Sequence, residues 1–102
     1  MAERETTVVI ARNGGSSGRD GTFDLTVNRK GLGHLDYSLP DKGTLTIDYV
    51  QVDPSLRGQG MGQKLVAAAV AWARQESRKV VPYCSYARAV MARTDDYKDV
   101  MA

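Results

Sequence analysis

Val50-Gln51-Val52-Asp53-Pro54-Ser55-Leu56-Arg57-Gly58-Gln59-Gly60-Met61-Gly62-Gln63-Lys64-Leu65-Val66 is the stretch on which the fold turns. It begins as a β-rich run, breaks at Asp53-Pro54-Ser55, passes through Gly58, Gly60 and Gly62, and continues into apolar residues at helical spacing. Glycines between a strand and a helix let the backbone come close to a ligand. The free N–H groups at the helix start, with the positive end of its dipole, favour a phosphate. A pyrophosphate suits such a turn. Two nucleotide fingerprints are excluded by direct reading. A P-loop requires Gly-Lys-Ser/Thr, whereas Gly62 is followed by Gln63 and Lys64; the dinucleotide fingerprint requires Gly or Ala where Gln63 stands.

Working outward, Met61, Leu65, Ala69 and Trp72, flanked by Val66, Val70 and Ala73, predict an Ala-rich helix running to about Glu76. Residues 79–83 then read as a short strand, parallel to the preceding one because a crossover helix separates them. Residues 85–93 read as a second helix capped by Ser85, and residues 95–101 as one more turn. Upstream, strands are predicted at residues 44–52, 32–39, 22–27 and 6–12. Pro40, Asp41, Lys42 and Gly43 make one connecting turn and Arg29, Lys30 and Gly31 another. Residues 13–21, with four glycines and two serines, form a surface loop. The expected class is α+β: antiparallel strands, a helix, a parallel fifth strand and a C-terminal helix, in one domain over residues 1–102 without repeats or linker.

Composition narrows the functional classes. The 102 residues suit one domain, and 42% apolar with 25% charged residues is an ordinary globular mix. A net charge of +2, built from 14 basic and 12 acidic residues that alternate, gives no nucleic-acid signature even with a pI near 8.8. One cysteine and one histidine exclude an internal disulfide and a zinc set. Glu3, Arg4 and Glu5 do not fit a signal peptide, and no apolar run approaches membrane-helix length, so the expected setting is cytoplasmic, without membrane partners.

Arg57-x-x-Gly60-x-Gly62 matches a Gln/Arg-x-x-Gly-x-Gly/Ala signature, and with Val50-Gln51-Val52-Asp53-Pro54 before it and Lys64-Leu65-Val66 after it the chain resembles the GNAT superfamily of acetyl-CoA-dependent N-acetyltransferases. It is most similar to a small single-domain subgroup, through Phe23-x-Leu25, Gly33-x-x-x-Tyr37, Val81-Pro82-x-Cys84-x-Tyr86 and Tyr97-x-Asp99, a likeness that spans roughly residues 21–101. One departure stands out. Where the subgroup has His-Thr, this chain has Asp48-Tyr49. The resemblance implies that acetyl-CoA is the co-substrate. Its pyrophosphate would be held by Arg57, Gly58, Gln59, Gly60, Met61 and Gly62, and its pantetheine arm would run between the fourth and fifth strands against the backbone of Val50 and Val52. A backbone N–H near Val50 or Val52 would serve the developing oxyanion.

Acetyl transfer to an amine needs a deprotonated nucleophile, oxyanion stabilisation and a proton for the leaving thiolate. Cys84, at the end of the fifth strand, is the candidate acyl carrier, given a positive or helix N-terminal field that favours its thiolate; the alternative is an inert, buried cysteine. The resemblance implies Tyr86, just beyond the fifth strand, as the candidate acid and Asp48, on the fourth strand, as the candidate base. His34 reads as a solvated or hydrogen-bonded strand histidine, and Trp72, Met61 and Leu65 as packing.

The function expected is N-acetyltransferase acting on an amine, small molecule or protein, as a monomer or weak homodimer. The alternative is a non-catalytic acyl-CoA-binding module. Superfamily relatives often build acceptor specificity from helices between the first two strands, where this chain has only residues 13–21, so an open acceptor side is expected.

Overall fold

The computed structural model describes residues 6–102. Four antiparallel strands come first: β1 (Val8–Asn13), β2 (Asp20–Val27), β3 (Lys30–Ser38) and β4 (Thr44–Val52). Helix α1 (Met61–Gln75) crosses over to β5 (Lys79–Pro82), which lies parallel to β4, and α2 (Ser85–Ala92) follows. The five strands make one sheet in chain order. This is the expected α+β arrangement. The charged Glu3-Arg4-Glu5 stretch lies outside the described residues.

The alternation seen in the sequence sets the faces of the sheet. Phe23, Leu25, Leu35, Tyr37, Leu45 and Ile47 point inward and join Leu65, Val66, Ala69 and Val70 of α1 and Ala87, Val90 and Met91 of α2 in one core. Each Leu or Val so buried contributes on the order of 1.5–3 kcal/mol of apolar transfer energy. At the far end of α1, Trp72 stacks against Tyr37 with ring centroids 5.5 Å apart, and the Arg12 guanidinium lies 4.5 Å above the indole while donating to Tyr37 Oη at 2.9 Å. That gives the buried phenol a partner and ties β1 to the core.

Several local expectations are corrected. The β2–β3 hairpin turns at Asn28-Arg29, both at positive φ (52° and 70°), so Lys30 and Gly31 belong to β3. Paired positive φ is the geometry that follows the twist of a hairpin. The cap of α2 is Cys84 rather than Ser85, and its side chain makes no capping bond. The segment after α2 forms a 3₁₀ turn over Asp95–Tyr97 and then returns to the outer edge of β5, where Met101 bridges Val80 in parallel. Residues 14–19 between β1 and β2 are turns and bends without a helix.

The returning segment is clasped by Arg74 of α1, which bonds both carboxylate oxygens of Asp99 at 3.0 and 2.8 Å. This contact holds the Asp99 carboxyl below its ordinary pKa of 3.8. A depressed native pKa means that the clasp stabilises the fold fully above the ordinary value and is lost as pH falls through the lowered one. Urea denaturation of Asp99→Asn should therefore show lower stability than the parent at pH 7 and a gap that closes below about pH 3.8. A gap independent of pH would contradict this reading of the clasp.

Candidate functional site

The β4–β5 ladder stops early. Its last pair is Ile47 with Pro82. The next two amides, Tyr83 N at 3.0 Å and Cys84 N at 3.1 Å, both close on the Ile47 carbonyl and turn the chain away into α2. β4 continues through Asp48, Tyr49, Val50, Gln51 and Val52, paired on its other side with β3. A bulge also falls here, because Tyr49 sits opposite Asp36 and Ile47 opposite Tyr37, leaving Asp48 as the extra residue. Both Asp48 and Tyr49 thereby reach the outer face, while Val50 and Val52 return to the inner one.

At the end of β4 the Asp53 carboxylate accepts from Ser55 N at 2.9 Å and starts the single turn Pro54–Leu56. These bonds from Ser55, with Lys30 nearby, hold Asp53 below the usual carboxylate range. Leu56 is buried beneath the turn. Gly58 (φ 79°) and Gly60 (φ 73°) then take the left-handed conformation, and Gly60 caps α1. Lys64 N donates to Gly60 O at 3.1 Å, closing the first helical turn. Among the described residues, the N–H groups of Gly58, Gly60, Met61, Gly62 and Gln63 have no protein acceptor. Five unpaired donors thus lie around the N-terminus of a helix of 15 residues.

A cleft of about 670 Å³ joins this turn to the widening gap beside β4. It is lined by Val50, Val52, Asp53, Pro54, the turn from Leu56 to Gln63, and Tyr86 from the first turn of α2. The Tyr86 ring lies over Gly62 and is 39% exposed. Burial raises its phenol above the ordinary tyrosine pKa, against the pull of Arg93. The cleft therefore offers hydrogen-bond donors for a polyanion at one end, an apolar and open strand edge in the middle, and a protonated hydroxyl.

The outer face of the sheet has a different character. Asp48 accepts from Thr46 Oγ1 at 2.8 Å and from Ser38 Oγ. His34 Nδ1 and Asp36 Oδ1 are 2.9 Å apart, and the His34 ring lies 6.0 Å from that of Tyr49, which is half exposed. His34 is thus a hydrogen-bonded strand histidine, as its alternating context suggests. Cys84 is half buried against the core.

All the residues singled out for the cofactor, Val50, Val52 and Arg57 to Gly62, share the cleft with Tyr86. Asp48 and Cys84 do not line it; both stand at the apex of the gap, on either side of Ile47 O. Asp53, Pro54, Leu56 and Gln63 were not singled out from the sequence. For Asp53 the signal was present in Asp-Pro-Ser, where an acceptor side chain precedes a helical Pro.

The comparisons with known proteins bear on this geometry. The sequence profile of the GCN5-related N-acetyltransferases matches residues 22–100. The chain belongs to this family. No curated protein matches it. The solution structure of a GCN5-like protein from Staphylococcus aureus is 29% identical, with a TM-score of 0.69 over 90% of this chain and 87% of that one. The aminoglycoside N-acetyltransferase AAC(6')-Iy, solved in complex with CoA, shares the fold at 14% identity, with a TM-score of 0.69 over 91% of this chain and 87% of that one. The ribosomal-protein-S18-alanine N-acetyltransferase from Escherichia coli does so at 19% identity and a TM-score of 0.66 over 76% of this chain. This family member spans about half (53%) of that enzyme's length.

Left-handed φ at Gly60 is the costly element of the site. A Cβ there would meet nothing closer than Gln63 Oε1 at 3.4 Å, so Gly60→Ala should act through backbone conformation alone. It should lower stability by about 1–2 kcal/mol in denaturant titrations. An unchanged midpoint would mean that the turn does not hold this conformation in solution.

Proposed function

We propose that this chain is an acetyl-CoA-dependent N-acetyltransferase acting on a cationic amine. The observation that carries the reading is the convergence of five unpaired N–H groups on one end of a cleft whose other wall is the free edge of β4. Such donors at a helix N-terminus suit a pyrophosphate, and an unpaired strand edge suits the amide-bearing pantetheine arm. Both parts of coenzyme A fit the residues present.

Bound acetyl-CoA supplies an activated acyl thioester. In this reading Gly58, Gly60, Met61, Gly62 and Gln63 hold its phosphates through backbone N–H groups, with Arg57 and Gln59 at the rim, and the backbone of Val50 and Val52 aligns the arm. The acceptor amine approaches from the outer face, which carries Asp24, Asp36 and Asp48 on adjacent strands together with Tyr49. That charge favours an ammonium and concentrates it near the apex of the gap. Asp48, fixed by Thr46 and Ser38, accepts a proton from the incoming ammonium. Tyr86, a phenol that is protonated at neutral pH, gives its proton to the departing thiolate. The amine nitrogen forms the new bond to the acyl carbon as the carbon–sulfur bond breaks, and its remaining extra proton is released to solvent, which also restores the proton on Tyr86.

The acceptor, small molecule or protein, enters across an open side, because residues 14–19 leave no helix over it. Two of these solved structures bear on acceptor class only by their own substrates: an aminoglycoside for AAC(6')-Iy and ribosomal protein S18 for the Escherichia coli enzyme.

Steady-state assays with a panel of polyamines, aminoglycosides and lysine peptides test the reading. Transfer to at least one amine is expected, with kcat reduced roughly 100-fold in Tyr86→Phe, the size typical of losing a positioned proton donor. Intact-mass analysis after incubation with acetyl-CoA should show Cys84 unmodified. An acetylated Cys84 that passes its acyl group to an amine would replace direct transfer with a carrier mechanism. Coenzyme A binding without transfer to any amine would favour a binding module.

A further inference from the structure

Gly62 differs from the other glycines of the turn. Gly58 and Gly60 have left-handed φ, whereas Gly62 lies within α1 and has ordinary helical backbone. Conformation does not call for glycine at this position, and alanine is the better helix former. The family signature also accepts alanine there. A Cβ at Gly62 would nevertheless collide with Tyr86 Oη and stand 2.8 Å from its Cζ and 2.9 Å from its Cε2. The three nearest atoms all belong to that one phenol ring.

We propose that Gly62 is a positioning residue whose missing side chain seats the Tyr86 phenol against the first turn of α1, inside the cleft. This inference rests on the reading of Tyr86 as the proton donor. Tyr86 is 39% exposed, so its ring can swing toward solvent without moving backbone. The effect of a methyl group at residue 62 is therefore specific. The helix keeps its hydrogen bonds and its N–H groups keep their directions, but the phenol loses its seat. A displaced donor slows the chemical step while leaving the phosphate end of the cleft intact.

The test is a double-mutant cycle of Gly62→Ala and Tyr86→Phe, read by kcat, the KM for acetyl-CoA and thermal melting. Gly62→Ala should melt no lower than the parent, keep the KM for acetyl-CoA within about threefold, and lose most of the roughly 100-fold in kcat that Tyr86→Phe loses. In the Tyr86→Phe background it should cost less than about threefold more. An aryl thioester of acetic acid, whose thiolate leaves without needing a proton, should bring all variants close to the parent rate, a rescue that a merely structural defect would not show. If Tyr86→Phe is slow and Gly62→Ala is not, the positioning role is overturned while the proton-donor reading stands. If Tyr86→Phe keeps the parent kcat, the proton-donor reading fails and the inference fails with it. A lowered melting temperature in Gly62→Ala that Tyr86→Ala does not relieve would also overturn it, because some other group would then be meeting the methyl.

Discussion

The end of the β4–β5 ladder at Ile47 and Pro82 is the constraint on which the rest of the site depends. Tyr83 N and Cys84 N spend their bonds on the one carbonyl of Ile47, so neither is left to extend the pairing. From that point β4 runs on while the chain after β5 turns away into α2. The inner wedge between them becomes the cleft, with the bulged Asp48 on the outer face of the sheet and half-buried Cys84 packed against the core. Had Cys84 N not closed on Ile47 O and the pairing run on, the edge of Val50 to Val52 would be sealed and the glycine turn would open onto no cleft.

The second dependence is electrical. Helix α1 begins at a left-handed glycine, so no side chain caps its first amides. Most helices satisfy these groups with Ser, Thr, Asp or Asn at this position. Leaving five donors open costs stability unless water or a ligand accepts from them, and an anion gains both from the donors and from the aligned dipole. The segment before it is built in the opposite way. Asp53 is fully engaged by Ser55, and Leu56 anchors the turn in the core, so the open donors are presented from a fixed frame.

Much of this was legible in the residues. Helical spacing from Met61 to Trp72 located α1, alternation located β2 to β4, and the crossover required β5 to be parallel; all three stand in the structure. The signature around Arg57, Gly60 and Gly62 pointed to the family. What escaped depends on register and on distant packing. Positive φ at Arg29 is uncommon for a side chain of that size, and the hairpin was therefore placed one residue late. The bulge at Asp48 is a property of two strands together, invisible in either alone. The contact of Gly62 with Tyr86 joins two helices, and nothing in the local sequence of either announces it.

The central claim is that the uncapped turn and the free edge of β4 form one binding surface. Amide chemical-shift perturbation during titration of the isotopically labelled protein with coenzyme A tests it most directly. The account predicts the largest shifts at the N–H groups of Gly58, Gly60, Met61, Gly62 and Gln63 and a second set along Val50 to Val52, saturating together. Binding that leaves these amides unmoved, or that moves the turn without the strand edge, would contradict it.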